Sequence, residues 1–169
     1  MKFSQIINCN PVSIVYNIIR KGESRMKIWF DMDGTIADLY GVQDWLPAIL
    51  ARDTRPYEIA RGIGNLATIA RLLNKARANG HKIGIISWTA KVTDPAYNAR
   101  IAIAKREWLH RHLPSVTWDE IKIVGFGTDK KTATGGGILF DDEEPNRNAW
   151  GAGAYTPAEI VEVLKGLTR

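Results

Sequence analysis

Asp31 and Asp33 stand one residue apart directly after the apolar run "KIWF", and Asp141 and Asp142 adjoin directly after "ILF". Burying a carboxylate is costly unless something compensates its charge. Two acidic pairs brought together repel unless a cation lies between them, and hard divalent ions such as Mg²⁺ take one or two carboxylates along with phosphate oxygens and water. Ser87, which ends "KIGIIS", and Lys131, in "GTDKKTATGGG", add a hydroxyl and an ammonium able to hold a phosphate. A metal-held carboxylate beside a phosphorus centre is a ready nucleophile, and a neighbouring carboxylic acid can protonate the leaving oxygen and later activate water. The chemistry open to these residue types is phosphoryl transfer through an aspartyl-phosphate.

Other readings attach to the same residues. A calcium loop would carry a further acidic residue at the next alternate position, which is Thr35. Glu143 and Glu144 beside the second pair are also compatible with a solvated acidic loop. Lys130 competes with Lys131, and Thr89 with Ser87. Trp88 can wall a pocket, stack on a base or simply pack. Asn146 can orient the backbone of the acidic loop, whereas His110 and His112, near a helix end, are read as surface residues.

These side chains need elements to bring them together. Ile28, Trp29 and Phe30 are strand formers, so Lys27 to Phe30 reads as a strand entering the Asp31 turn. Residues 42–52 show helical spacing, and 53–64, broken by Pro56, Gly62 and Gly64, reads as an irregular connection. Asn65 caps a helix whose stripe is Leu66, Ile69, Leu72, Leu73 and Ala76, with Gly80 as its stop. The run 82–87 suits a buried parallel strand. Asp94-Pro95 then opens a helix to about His112. Strands at 121–126 and 138–140 follow, separated by a glycine-rich loop. A short helix near 145–150, a small strand at Ala154 and Tyr155, and a helix over 157–167 close the chain. Strands alternating with helices imply right-handed crossovers and an α/β fold whose parallel sheet is covered on both faces. Ligands collect at the carboxyl ends of such strands, where every polar cluster here falls.

Composition sets bounds on this reading. At 169 residues, with 45% hydrophobic and 24% charged residues, the chain fits one α/β domain with a real core. The single cysteine, Cys9, excludes an internal disulfide and a multi-cysteine zinc site, and suits a cytoplasmic location. No apolar run approaches the roughly 20 residues of a membrane span, so a soluble protein without a membrane partner is expected. Three of the five net positive charges fall within residues 1–25, leaving +2 on the remainder. That balance disfavours nucleic acid as a partner, because an extended basic face would then be expected.

"DMDGT" after a strand, "IIS" ending a strand, a lysine in a loop, and "LFDDEEPN" after a fourth strand resemble the four motifs of the haloacid dehalogenase (HAD) superfamily of phosphohydrolases, over residues 27 to 155. The resemblance implies a three-layer Rossmann-like fold. It also implies Asp31 as nucleophile and Mg²⁺ ligand, and Asp33 as general acid/base that binds metal through its backbone carbonyl. Ser87 and Lys131 would hold the phosphate, and Asp141 and Asp142 would complete or support the metal shell. "KREWLHRHLP", "GTDKKT" and "ILFDDEEPN" are further similar to the 5'(3')-deoxyribonucleotidase group, whose lysine precedes a threonine and lies ten residues before an Asp-Asp pair, as Lys131 does.

The expected function is therefore hydrolysis of a small phosphomonoester, a nucleotide among the candidates. A phosphatase of nucleic-acid or protein ends and a weakly catalytic phosphate-recognising domain are the alternatives. Between the first two motifs there is room only for a minimal helical cap at about residues 39–64, within which Tyr40, Trp45 and Tyr57 offer aromatic faces and Arg52, Arg55 and Arg61 offer positive charge. Residues 1–25 are expected to be a translated leader or an N-terminal extension ahead of a domain spanning 26–169. Lys21-Gly22-Glu23 can be encoded by AAAGGAGAG, a bacterial ribosome-binding sequence, two codons before Met26.

Overall fold

The centre of the sheet is β1 (Lys27–Phe30), flanked in parallel by β4 (Lys82–Trp88) and β6 (Ile138–Phe140). The computed structural model describes residues 25–168, so Cys9 and residues 1–24 of the expected leader or extension lie outside the described residues. Beyond β4 runs β5 (Glu120–Val124), and beyond β6 runs β7 (Ala154–Tyr155), giving the order β5-β4-β1-β6-β7 with every pairing parallel.

Alternation along β1 explains the two covered faces. Ile28 and Phe30 join Ile83, Ile85 and Phe140 in one apolar cluster with residues of three helices: α3 (Leu66–Ala78), the carboxyl half of α4 (Pro95–His112) and α7 (Ile160–Leu167). Trp29 points the other way, where it meets Ile86, Leu139 and Trp150 of α6 (Glu144–Trp150). Gly84 makes room for that indole, since a Cβ at this position would run into the Trp29 ring. Both long helices begin as their capping residues imply. The Asn65 side chain accepts from the Thr68 amide at 2.9 Å, and Asp94 accepts from the Tyr97 amide at 3.0 Å.

The segment between the first two motifs differs from its expectation. Residues 53–64 are not irregular: Arg55–Ile59 forms a short helix, α2, with Pro56 in its first turn, where a missing N–H costs no helical bond. Ahead of it the helical stretch shortens to α1 (Trp45–Leu50). After it, β3 (Arg61–Gly62) pairs antiparallel with β2 (Ala37–Asp38), just beyond the Asp31 turn. Leu39, Ile49 and Tyr57 of this segment pack on Tyr97 and Ile101 of α4, forming a second small core above the sheet edge. The glycine-rich connection also contains an unexpected helix, α5 (Lys130–Thr134). Among the described residues no helix is long and apolar enough to cross a membrane.

Candidate active site

Because β1, β4 and β6 are parallel neighbours, their carboxyl ends present Asp31, Ser87 and Asp141 along one edge. The Asp31 amide donates to the Phe140 carbonyl at 2.9 Å, which locks the exits of β1 and β6 side by side. Carboxylate oxygens of Asp31, Asp141 and Asp142 then lie within 4.8 Å of one another. The turn after β1 permits this approach through Gly34, at φ 73°, where a Cβ would collide with the Asp142 carboxylate. Thr35 ties the same loops together: the Asp142 amide donates to its hydroxyl at 3.1 Å.

The acidic loop is braced from below. Asn146 donates to both oxygens of Asp141, the Glu143 amide donates to Asp141 Oδ1 at 2.9 Å, and Arg147 reaches the carbonyls of Asp141 and Asp142 at 2.8 and 2.6 Å. Burial first, and the charge of Asp31 second, push the Asp141 carboxyl above its ordinary value. The same two influences together with Asp141 raise Asp142 to about 7.

The fit to a divalent cation follows from this structure. The donor set is all carboxylate oxygen, as a hard ion requires. Asp31 Oδ1 is buried with no hydrogen-bond partner; the Lys130 ammonium lies 3.3 Å away but off the hydrogen-bonding direction. Asp33 is not in the three-carboxylate cluster, so any metal contact from it has to come from its backbone.

The two lysines of α5 are placed differently from the expectation set by spacing. Lys131 turns away from the carboxylates, and its Nζ donates to the Trp150 carbonyl at 2.6 Å. Lys130 is the buried one, with its Nζ 2.6 Å from Asp141 Oδ2 and 4.8 Å from the centre of the Trp88 ring. Burial alone would lower its ammonium, but Asp31 and Asp141 outweigh that and hold it above the ordinary lysine value. Of the two lysines that the sequence left in competition, Lys130 is the one that lies against the carboxylates, and Lys131 does not. Residues adjacent on a helix diverge by about 100° around its axis, so only one of the pair can face the carboxylates.

Ser87 and Thr89 both come to the edge. Ser87 Oγ accepts from Lys105 at 2.8 Å and keeps its own proton to donate. Thr89 lines the cleft above Asp31 and Asp33, and its buried hydroxyl has no partner. Lys105 itself was missed. It is 1% exposed, stands on α4, and donates to Asp33 Oδ2 at 2.6 Å and to the Trp88 carbonyl at 2.7 Å as well as to Ser87. A signal existed, because Lys105 shares the apolar stripe of Ile101, Trp108 and Leu109, where an unpaired lysine does not belong.

A cleft of about 230 Å³ opens over this edge. Tyr40 and Trp45 wall it from one side as an edge-to-face pair with ring centres 5.0 Å apart, and Trp88 and Phe126 wall it from the other with centres 4.9 Å apart. The arginines of the 39–64 segment are elsewhere. Arg52 pairs with Asp94 at 2.8 Å, and Arg55 and Arg61 line separate clefts that these catalytic candidates do not reach.

No family model and no curated protein sequence matches the chain. Solved structures do match it. The crystal structure of D,D-heptose 1,7-bisphosphate phosphatase from Burkholderia thailandensis superposes with a TM-score of 0.51 at 12% identity, covering 85% of this chain and 99% of that one. The enzyme of the same name from B. bronchiseptica, complexed with magnesium and phosphate, gives 0.51 at 13% identity over 84% and 97%. At these identities the likeness is one of fold: the chain has the three-layer α/β architecture of these phosphatases.

Proposed function

We propose that the protein is a Mg²⁺-dependent phosphohydrolase of HAD type that cleaves a small phosphomonoester through an aspartyl-phosphate. The observation that carries this reading is the meeting of Asp31, Asp141 and Asp142 within 4.8 Å beside the buried Lys130 ammonium, with Asp31 and Asp33 lining an open cleft. The shared fold with phosphatases, one of them complexed with magnesium and phosphate, supports it.

Asp31, Asp141 and Asp142 would hold the metal, with the Asp33 backbone carbonyl as a further ligand. When bound, Mg²⁺ neutralises the crowded carboxylates and draws charge from phosphate oxygens. A carboxylate oxygen of Asp31 attacks phosphorus as the bond to the leaving oxygen breaks, and Asp33 gives its proton to that oxygen. Water then attacks the phosphorus of the aspartyl-phosphate and loses its proton to the Asp33 carboxylate. The bond to Asp31 breaks and inorganic phosphate leaves. Burial, reinforced by Asp31, raises Asp33 above the ordinary aspartate value even against the pull of Lys105, which suits a group that must start protonated. Ser87, Thr89 and Lys130 receive the phosphate, Lys130 supplying positive charge where negative charge builds. The aromatic walls favour a planar organic group on the ester, with a nucleoside monophosphate as one such substrate.

Release of phosphate from an aryl phosphate tests the proposal, run with Mg²⁺, with a chelator, and with Asp31→Asn. Turnover only in the first arm is expected, with Asp31→Asn still melting cooperatively. Near-wild-type turnover by Asp31→Asn would refute the nucleophile assignment.

A further inference from the structure

Lys105 spends every proton of its ammonium inside the protein. Its three acceptors are Asp33 Oδ2, Ser87 Oγ and the Trp88 carbonyl, at 2.6, 2.8 and 2.7 Å. None is left for a substrate, and at 1% exposure the side chain is out of reach of one. The acceptors come from two separate elements. Asp33 belongs to the turn after β1, whereas Ser87 and Trp88 end β4, and nothing in the register of the sheet sets the distance between their side chains. Asp33 also lines the cleft and retains 20% of its side-chain exposure, so with Oδ2 taken by Lys105 its other oxygen serves the cleft.

We infer that Lys105 is a positioning residue: by holding Asp33 Oδ2 and Ser87 Oγ on one ammonium, it aims the remaining Asp33 oxygen at the leaving group and the Ser87 proton at the phosphate. The inference rests on the phosphatase reading above. It assigns the exchangeable proton of Asp33 to the oxygen that Lys105 does not occupy, because an oxygen already accepting from an ammonium is the poorer place for a proton. When P–O cleavage begins, that proton passes to the leaving oxygen and departs with the alcohol, and the same carboxylate oxygen then takes a proton from the water that attacks phosphorus. The Tyr57 ring, centred 5.2 Å from Lys105 Nζ, closes the remaining side of the ammonium.

A lysine that merely holds the fold together would affect all substrates alike. One that aims a general acid matters most where the leaving oxygen needs a proton, since general acid catalysis contributes most for poor leaving groups. Lys105→Met, of similar length and without charge, is therefore compared with the wild type on an alkyl phosphate and on 4-nitrophenyl phosphate, both with Mg²⁺. The expected result is a loss of kcat on the alkyl ester roughly tenfold or more greater than on the nitrophenyl ester, with KM little changed. Equal losses on the two esters, or a change confined to KM, would overturn the assignment. If Lys105→Met does not melt cooperatively, Lys105→Gln, which keeps two N–H donors, is read in its place with the same criterion. Absence of turnover by the wild-type protein on both esters would overturn the phosphatase reading itself, and the role of Lys105 with it.

Discussion

Among single residues, the sharpest consequence concerns neighbours in the chain. Lys130 and Lys131 differ by one position, yet one lies on Asp141 and the other on the Trp150 carbonyl. Lys130→Ala is expected to lower kcat by about tenfold or more beyond Lys131→Ala, since it removes a charge-assisted contact at the reacting phosphate. Lys131→Ala should instead cost about 1 kcal/mol of stability from one lost hydrogen bond, and steady-state rates with denaturant titrations separate the two. The reverse ranking in kcat would return the phosphate to Lys131. A second expectation follows from Asp142, raised from 3.8 to about 7 by burial and by Asp31 and Asp141. Between those values the native metal-free protein holds more protons than the unfolded chain, so this group's contribution is present at low pH and is lost as pH rises through about 7. Mg²⁺ bound at that cluster relieves the repulsion. The rise in Tm on adding Mg²⁺ should therefore be larger near pH 8 than near pH 5.5, and Asp142→Asn should flatten the difference. An increment that shrinks with pH would contradict the cluster as the metal site. The acidic positions were legible because each follows an apolar strand run. The lysine was not, because spacing to the Asp-Asp pair cannot distinguish two adjacent residues until the helix that carries them is known.

Elements show why that helix was hidden. Lys130–Thr134 is a single turn followed by three glycines, and so short a helix has no periodic stripe to read. It is held by its cap and by tertiary contact: the Asp129 side chain accepts from the Thr132 amide at 2.6 Å, and Lys130 and Thr134 are buried. Asp129→Ala should cost about 1 kcal/mol by denaturant unfolding. It should also lower kcat, because the cap sets where Lys130 emerges. A stability loss with no change in rate would show that Lys130 is fixed by its carboxylate partners alone. Long elements were readable for the opposite reason. The helices Leu66–Ala78 and Pro95–His112 each carry a side-chain cap and enough turns for an apolar face, and both start where Asn65 and Asp94 imply. Lys105 lies within the second of them. Its place among Ile101, Trp108 and Leu109 was visible in the sequence, but its partners on β1 and β4 exist only once the sheet has formed.

At the scale of the whole molecule, the proposed substrate preference rests on what stands over the carboxyl edge of the sheet. Two short helices and a two-stranded ribbon occupy residues 37–62, and their packing on Tyr97 and Ile101 leaves the cleft open at the side of Tyr40, Leu46 and Phe126, which are 43%, 47% and 50% exposed. The arginines that the sequence offered for a second anionic group do not line this cleft, where Lys91, over the Phe126 ring at 5.7 Å, is the basic residue among the lining side chains. Two aromatic pairs and a volume of about 230 Å³ suit one planar group of modest size. The positive charge needed to track a nucleic-acid backbone is missing from the cleft walls. A panel of phosphate esters with Mg²⁺, using Asp31→Asn as the blank, should therefore show faster release from nucleoside monophosphates and aryl phosphates than from 5'-phosphorylated oligonucleotides, phosphopeptides or sugar bisphosphates. Trp45→Ala should raise KM for the aromatic esters several-fold while leaving that for a small alkyl phosphate nearly unchanged, because stacking on an aromatic wall is worth about 1 kcal/mol. Preference for the oligomers would identify the open side as a groove for a larger partner, and preference for the bisphosphates would require a second anion site that the cleft does not display.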